Sequence, residues 1–310
     1  MKSRILLTGK NGQVGAELAA LLPRLGEVTS FDRHELDLSN PGHIRRAIRA
    51  VRPTMIVNAA AYTSVDQAER EEKQARIINV DAPALMAEEA KRIGAVLVHY
   101  STDYVFDGSR NLPYDETDQP NPINVYGKTK LAGEEAIRAV GLPHLIFRTA
   151  WVYGTKGRNF LLTILRLATE REELRVVSDQ FGAPTWSREI AKATAMVLVQ
   201  LSQQGQDAIS KFSGLYHLTA AGKTSWFDFA QSILERASRT PRGLAWFVAA
   251  TGSKRLIVRR ITPISTEEYP TQARRPAFSV LSNRRLKQMF GLELPDWREQ
   301  LDSAFADQQA

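Results

Sequence analysis

The chain has 310 residues, is 43% hydrophobic and 24% charged, and carries a net charge of +7 with no cysteine. That length and composition allow one large globular domain or two modest ones, and the missing cysteine excludes disulfides, thiolate nucleophiles and cysteine-held metals. Residues 1–150 hold 19 basic and 19 acidic side chains, whereas residues 151–310 hold the other 22 and 15; the excess is not interleaved with stacking aromatics, so an anionic small molecule or a solvated surface suits it better than nucleic acid.

The first half alternates strand and helix. Arg4–Thr8 reads as a short apolar strand, Gln13–Leu22 as a helix with Val14, Leu18, Leu21 and Leu22 on one face, and Glu27–Phe31 as a second strand. Pro41–Val51 reads as a helix with Asn40 as its N-cap and Pro41 at its first position. Thr54–Asn58 is a third strand, Ala75–Ile93 a long amphipathic helix, Ala95–Ser101 a buried strand, Val125–Ala139 a helix and His144–Arg148 the strand after it. Such alternation predicts an α/β fold, a Rossmann-like doubly wound parallel sheet with helices on both faces. Beyond Tyr153 the pattern loosens. Phe160–Thr169, Ser187–Leu201 and Ser225–Ala237 read as helices, the last capped by Thr224 or Ser225, with polar stretches at Ser202–Gly214, Arg239–Gly243 and Pro263–Pro276. The expected division is an NAD(P)-binding domain over residues 1–150 and, over 151–310, a mainly substrate-binding lobe interleaved with late elements of the sheet. No apolar run approaches the roughly 18 residues of a membrane span. The apolar stretch at the N-terminus is too short for a signal peptide, so no membrane association and a cytoplasmic location are expected.

Three motifs carry chemistry. Gly9, Asn11, Gly12, Gln13, Val14 and Gly15 lie in a glycine loop between a predicted strand and a predicted helix. In that setting Gly9 serves the tight turn, Gly12 the approach of a pyrophosphate and Gly15 close helix–strand packing, and the helix N-terminus offers N–H groups to the anion. Asp32, some twenty residues on, stands where a carboxylate binds the ribose 2′-hydroxyl of NADH, while the adjacent Arg33 suits the 2′-phosphate of NADPH. Tyr126 and Lys130 share a helix face at i and i+4, where an ammonium and a cationic nicotinamide would lower the phenol's pKa. Thr102, at the C-terminal end of the buried strand, can donate to a carbonyl beside Tyr126.

A hydroxyl, a tyrosine and a lysine in that order after a Rossmann loop resemble the extended short-chain dehydrogenases/reductases that act on nucleotide sugars. Within them, the resemblance is greatest to the dTDP-4-dehydrorhamnose reductase family. It rests on Gly9–Gly15, Val57–Asp66 (VNAAAYTSVD), Ser101–Phe106 (STDYVF), Asn124–Glu134 (NVYGKTKLAGE), Arg148–Gly154 (RTAWVYG), Asp179–Thr185 (DQFGAPT) and Tyr269–Pro276 (YPTQARRP). It implies a nicotinamide cofactor, NADPH or NADH, touched by Gly12, Gln13 and Val14, by Asp37 and Leu38 near its adenosine, and by Ala60, Ala61, Tyr62 and Thr63 along its middle. It implies catalysis by Thr102, Tyr126 and Lys130, the last two also touching the cofactor, and Thr102, Asp103, Tyr126 and Trp151 around a dTDP-linked 4-keto-6-deoxyhexose. Arg274 and Arg275 could meet the diphosphate. A homodimer and a bound Mg²⁺ follow by the same resemblance, although no motif here shows a metal site. Two features depart from the family: Gln272 stands where it usually has proline, and Leu244–Arg260 looks longer. Two readings compete with a reductase. One is an epimerase or 4,6-dehydratase, although Thr102 is followed by one acid rather than two. The other is a non-catalytic Rossmann subunit resembling the beta subunit of methionine adenosyltransferase.

Overall fold

The computed structural model describes residues 3–204, 208–240 and 244–307; the polar stretches expected at Ser202–Gly214 and Arg239–Gly243 therefore lie partly outside the described residues. Five strands alternate with helices in the first half: β1 (Ser3–Thr8), β2 (Gly26–Phe31), β3 (Met55–Asn58), β4 (Val96–Thr102) and β5 (His144–Thr149). A sixth strand, Gly214–His217, pairs with β5, and the sheet order is Gly214–His217, β5, β4, β3, β1, β2. All these pairs are parallel. Between the strands run α1 (Gln13–Leu21), α2 (Pro41–Val51), α3 (Val65–Ala68), α4 (Glu72–Arg76), α5 (Ala82–Ile93) and α6 (Val125–Val140).

Strand alternation sends neighbouring residues to opposite faces, and the two cores follow. Leu6, Ile56, Leu97 and Ile146 face Ile44 and Ile48 of α2, Leu85 and Met86 of α5 and Ile137 of α6. Ile5, Leu7, Val57, Val98 and Phe147 face the opposite side, where they meet Leu18 of α1 and Ile190, Val197 and Leu201. The latter three belong to the helix Ser187–Gln203, which with the sixth strand returns the second half of the chain to the sheet. A third core joins Leu161, Ile164 and Leu165 of the helix Phe160–Ala168 to Phe229, Ile233, Trp246, Phe247, Trp297 and Leu301.

Local causes set several boundaries. Asn40 caps α2 as its sequence predicts, its side-chain oxygen accepting from the Gly42 and His43 N–H groups. The helix expected over Ala75–Ile93 is instead interrupted by a π-turn at Ile77–Asp81. Pro83 has no N–H to give the carbonyl four residues back, on Asn79, and a π-turn is one way a helix absorbs such a fault. Ser225, rather than Thr224, caps the helix Trp226–Arg239 by accepting from the Asp228 N–H.

Candidate active site

The chain leaves β1 toward β2 on one side of the sheet and toward β3 on the other, so the strand order reverses at β1. Open parallel sheets bind ligands in the crevice at such a reversal, beyond the strands' C-terminal ends. The glycine loop lies there. Gly9 takes φ +76°, in the left-handed region, and a Cβ on it would come within 2.9 Å of the Ala60 nitrogen. A Cβ on Gly15 would collide with the Gly9 carbonyl, so the buried first turn of α1 lies directly on the loop. Gly12 is the N-cap of α1, and no side chain caps the helix and no acid occupies its first turn. Its leading N–H groups are therefore open to an anion, which is what a pyrophosphate site requires. Val14 is half-buried. The Gln13 side chain donates to the Val152 carbonyl and accepts from Asn159.

At the crevice's far side, Asp32 holds its own turn. Its Oδ1 accepts from the His34 and Glu35 N–H groups at 2.9 and 3.1 Å, and its Oδ2 accepts from Asn11 at 3.1 Å. Those backbone bonds, from Glu35 first, hold the carboxyl below its usual range. Arg33 is exposed beside it. Asp37 accepts from the N–H and hydroxyl of Ser39, and Leu38 is buried with Ile44 and Ile48. Ala60, Ala61, Tyr62 and Thr63 follow β3 as a loop edging the crevice. The Ala60 N–H donates to Asn58 Oδ1 at 3.3 Å. Asn79 bonds both the N–H and the carbonyl of Tyr62, at 2.9 and 3.1 Å, and also donates to Thr129 of α6 at 3.1 Å.

The other wall is built by β4 and α6. Thr102, the last residue of β4, donates to Asp103 at 3.0 Å and accepts from the Tyr104 N–H at 3.1 Å. Asn124 caps α6, accepting from the Gly127 N–H at 2.8 Å, which sets Tyr126 in the first turn and Lys130 one turn on. Burial pushes the Tyr126 phenol up to about 12; a hydrogen bond with Thr102 opposes the rise and the Asp103 charge adds to it. Burial likewise pushes the Asp103 carboxyl up to about 7, against hydrogen bonds from Ser279 and Thr102. Lys130 Nζ donates to the Tyr100 carbonyl at 2.6 Å and lies 3.3 Å from His99 Nε2. Burial pulls it down to about 8, while Glu134 opposes the fall. The expectation that Lys130 lowers the pKa of Tyr126 therefore does not describe this state. Burial dominates both groups, and Lys130 is anchored on β4.

Trp151 is half-buried and holds φ +47°. Its indole stacks on Trp226 at 3.4 Å and 3°, and any Cβ on Gly182 would strike it. Of the two arginines expected near a diphosphate, Arg275 is committed to Asp66 through bonds of 2.6 and 3.1 Å. Arg274 is exposed, its carbonyl held by Asn124 at 2.8 Å. Asn58, Asn79 and His99 are site residues that sequence patterns do not single out. Asn58 lies within the VNAAAYTSVD motif, whereas nothing in the sequence marks Asn79, whose place depends on the π-turn. Among the described residues no helix is long and apolar enough to cross a membrane, and no group of three or more acidic or histidine side chains is placed to hold a metal ion.

A profile of the RmlD substrate binding domain matches residues 2–310. The chain is 50% identical to a dTDP-4-dehydrorhamnose reductase of Burkholderia thailandensis, covering 95% of both proteins. It is 45% identical to that of Escherichia coli K12, over 95% of this chain and 94% of the other. A crystal structure of the Bacillus anthracis dTDP-4-dehydrorhamnose reductase in complex with NADP superposes with a TM-score of 0.84 at 36% identity, covering 99% of each chain. The loop, the Thr–Tyr–Lys wall and near-complete coverage in all three comparisons agree, and the chain belongs to the dTDP-4-dehydrorhamnose reductase family.

Proposed function

We propose that the protein reduces the C4 ketone of dTDP-4-dehydro-L-rhamnose to dTDP-L-rhamnose with NADPH or NADH. The observation that carries this reading is the buried Thr102 hydroxyl at the end of β4, near enough to the half-buried Tyr126 phenol to oppose its rise in pKa, at the mouth of a crevice whose glycine loop suits a pyrophosphate. When bound, the reduced nicotinamide supplies hydride to the ketone carbon. Thr102 polarises the ketone oxygen by hydrogen bonding. Tyr126 gives its proton to the same oxygen as negative charge develops there. Its elevated pKa keeps that proton in place at neutral pH. Lys130 supplies positive charge and holds the nicotinamide ribose. Gly9, Gly12 and the first turn of α1 hold the pyrophosphate. Asp32 serves the ribose of NADH and Arg33 the phosphate of NADPH. Trp151 and Arg274 border the sugar nucleotide. The same reading assigns the cofactor to residues 1–150 and mainly the sugar to 151–310. It describes a cytoplasmic homodimer that makes a rhamnose donor for cell-surface polysaccharide. Mg²⁺ enters only through the family resemblance, and no step depends on it.

The test is consumption of reduced nicotinamide with dTDP-, UDP- and GDP-linked 4-keto sugars, run with both cofactors. Turnover that stays at background with the dTDP substrate sinks the assignment, and neither an epimerase nor a binding subunit would consume cofactor. A companion test uses Gly12→Val. Gly12 has an ordinary φ of −78°, so the fold should survive. The branched side chain would stand in the pyrophosphate's approach. Affinity for NADPH, followed by fluorescence titration, should fall by more than about tenfold, equivalent to about 1.4 kcal/mol, while the thermal midpoint stays near wild type.

A further inference from the structure

A chain of buried polar groups runs behind the crevice from β1 to α6. Thr8 Oγ1 donates to Asn58 Oδ1 at 2.6 Å, and the Ala60 N–H donates to the same oxygen at 3.3 Å. Asn58 Nδ2 meets His99 Nδ1 at 3.1 Å, and His99 Nε2 meets Lys130 Nζ at 3.3 Å. Thr8, Asn58, His99 and Lys130 are each no more than 2% exposed, so no solvent offers an alternative partner and every donor must find an acceptor.

The donor count has a consequence. The Ala60 N–H cannot accept, so it fixes the Asn58 amide with its oxygen toward the loop and its NH₂ toward His99. His99 Nδ1 must then accept, which puts the imidazole proton on Nε2. That N–H points at Lys130 Nζ, which can accept only as a neutral amine, keeping its own N–H for the Tyr100 carbonyl. A charged Lys130 has no lone pair. It requires the opposite tautomer of His99, and that tautomer requires the Asn58 amide to turn over and release Ala60. We propose that His99 is a positioning residue that couples the charge of Lys130 to the cofactor-edging loop at Ala60: at mildly alkaline pH Lys130 is an amine in the free protein, and it takes up a proton, with His99 changing tautomer, when cofactor binds.

The proton balance is simple. One proton arrives from solvent on Lys130 Nζ, and the imidazole stays neutral while its proton changes from Nε2 to Nδ1. The groups around the pair are consistent with this. Burial holds His99 well below the ordinary histidine range, so the ring does not itself charge. On α6, Lys130 also faces Tyr126 and Glu134; the latter is neutralised by Arg148 of β5 through bonds of 2.9 and 2.7 Å. Tyr100, on β4, gives Lys130 its carbonyl, and its phenol pairs with Thr194. No unpaired carboxylate among these groups fixes the ammonium form.

The uptake arm rests on the proposed cofactor site, and the tautomer arm does not. The chain has five histidines, few enough to assign by nitrogen NMR. In the free protein, at a pH above the value of about 8 to which burial pulls Lys130, His99 should show the pattern of a proton on Nε2, and on adding NADPH that of a proton on Nδ1. A free protein with the proton on Nδ1 overturns the proposal, whether or not cofactor binds. Calorimetric titration of NADPH in buffers of differing ionisation enthalpy should show proton uptake by Lys130 that grows as pH rises above the value of about 8 to which burial pulls it, approaching one proton per cofactor there. His99→Gln has no tautomer to switch and can offer its amide oxygen to a charged Lys130, so it should bind cofactor with almost no uptake. Undiminished uptake in that variant refutes the coupling. Should the variant not fold, the wild-type tautomer decides. A protein that binds no cofactor at all would sink the proposed function, and the free-state spectrum would still decide the tautomer.

Discussion

Tyr126→Phe is expected to lower kcat by roughly 10²–10⁴, the usual contribution of a positioned general acid, with a modest change in KM and little change in stability. The substitution removes one oxygen and keeps the ring, so the edge-on contact with Tyr104 at 6.0 Å persists. What disappears is the proposed proton donor, on the half-buried ring near Thr102. Burial keeps that proton on the phenol up to about 12, so the wild-type profile owes no alkaline limb near neutrality to Tyr126. Lys130, pulled down to about 8, is the group whose charge is lost as pH rises, and kcat/KM should fall above that value. Lys130→Met should abolish this limb and weaken cofactor binding as well. The double variant should lose far less than the product of the single losses, because residues acting as one unit are non-additive. Near-normal turnover by Tyr126→Phe on the dTDP-linked ketone would overturn the mechanism while leaving the family assignment intact.

Arg148→Met should destabilise the fold far more than any of the active-site substitutions. Arg148 on β5 and Glu134 on α6 form a two-pronged ion pair, with side chains 1% and 0% exposed. Removing one partner strands a buried charge, at a cost of about 3–5 kcal/mol. The Arg148 guanidinium also lies 5.2 Å from the Phe106 ring centroid, and methionine cannot supply that cation–π attraction. The midpoint of chemical denaturation should move sharply downward with little change in slope. The pair sits one turn beyond Lys130 and pins α6 to the sheet, so catalytic loss should accompany the stability loss. Replacing both residues together with Met and Leu should recover much of the stability, because the uncompensated charge goes with its partner. A single Arg148→Met variant as stable as wild type would mean the pair contributes nothing net to α6 docking.

Where the sequence is readable, its signals are local. Asn40 followed by Pro41 marks a helix start whatever lies around it, and α2 runs from Pro41 to Val51 as the sequence implies. The loop from Gly9 to Gly15 identifies itself because each glycine answers a nearby steric demand. The strand Gly214–His217 leaves no such mark. It has four residues, too few for a period, and it is a strand because β5 offers an edge rather than because of its own sequence. The helix Ala245–Thr251, inside the segment that reads merely as longer, is likewise short, and Trp246 and Phe247 give it order by entering the third core. At the site, side-chain destinations are the hidden part. Arg275 reads as a diphosphate ligand until Asp66 is seen to hold it, and Asn79 reads as an ordinary helical residue until the π-turn aims it at Tyr62.

The order of the six-stranded sheet also bears on how the chain is made. β5 is complete by Thr149, but its outer neighbour is not synthesised until Gly214–His217, and Ser187–Gln203, which covers Ile5, Leu7 and Val57, emerges only shortly before. During translation, at about 5–20 residues per second, the nascent sheet therefore spends several seconds with an open strand edge and an apolar face covered only by α1. Both are features that invite pairing with other chains. A helper that shields emerging β-strands would find its substrate in that interval, and a ribosome that stalled between β5 and the sixth strand would release a product prone to aggregate.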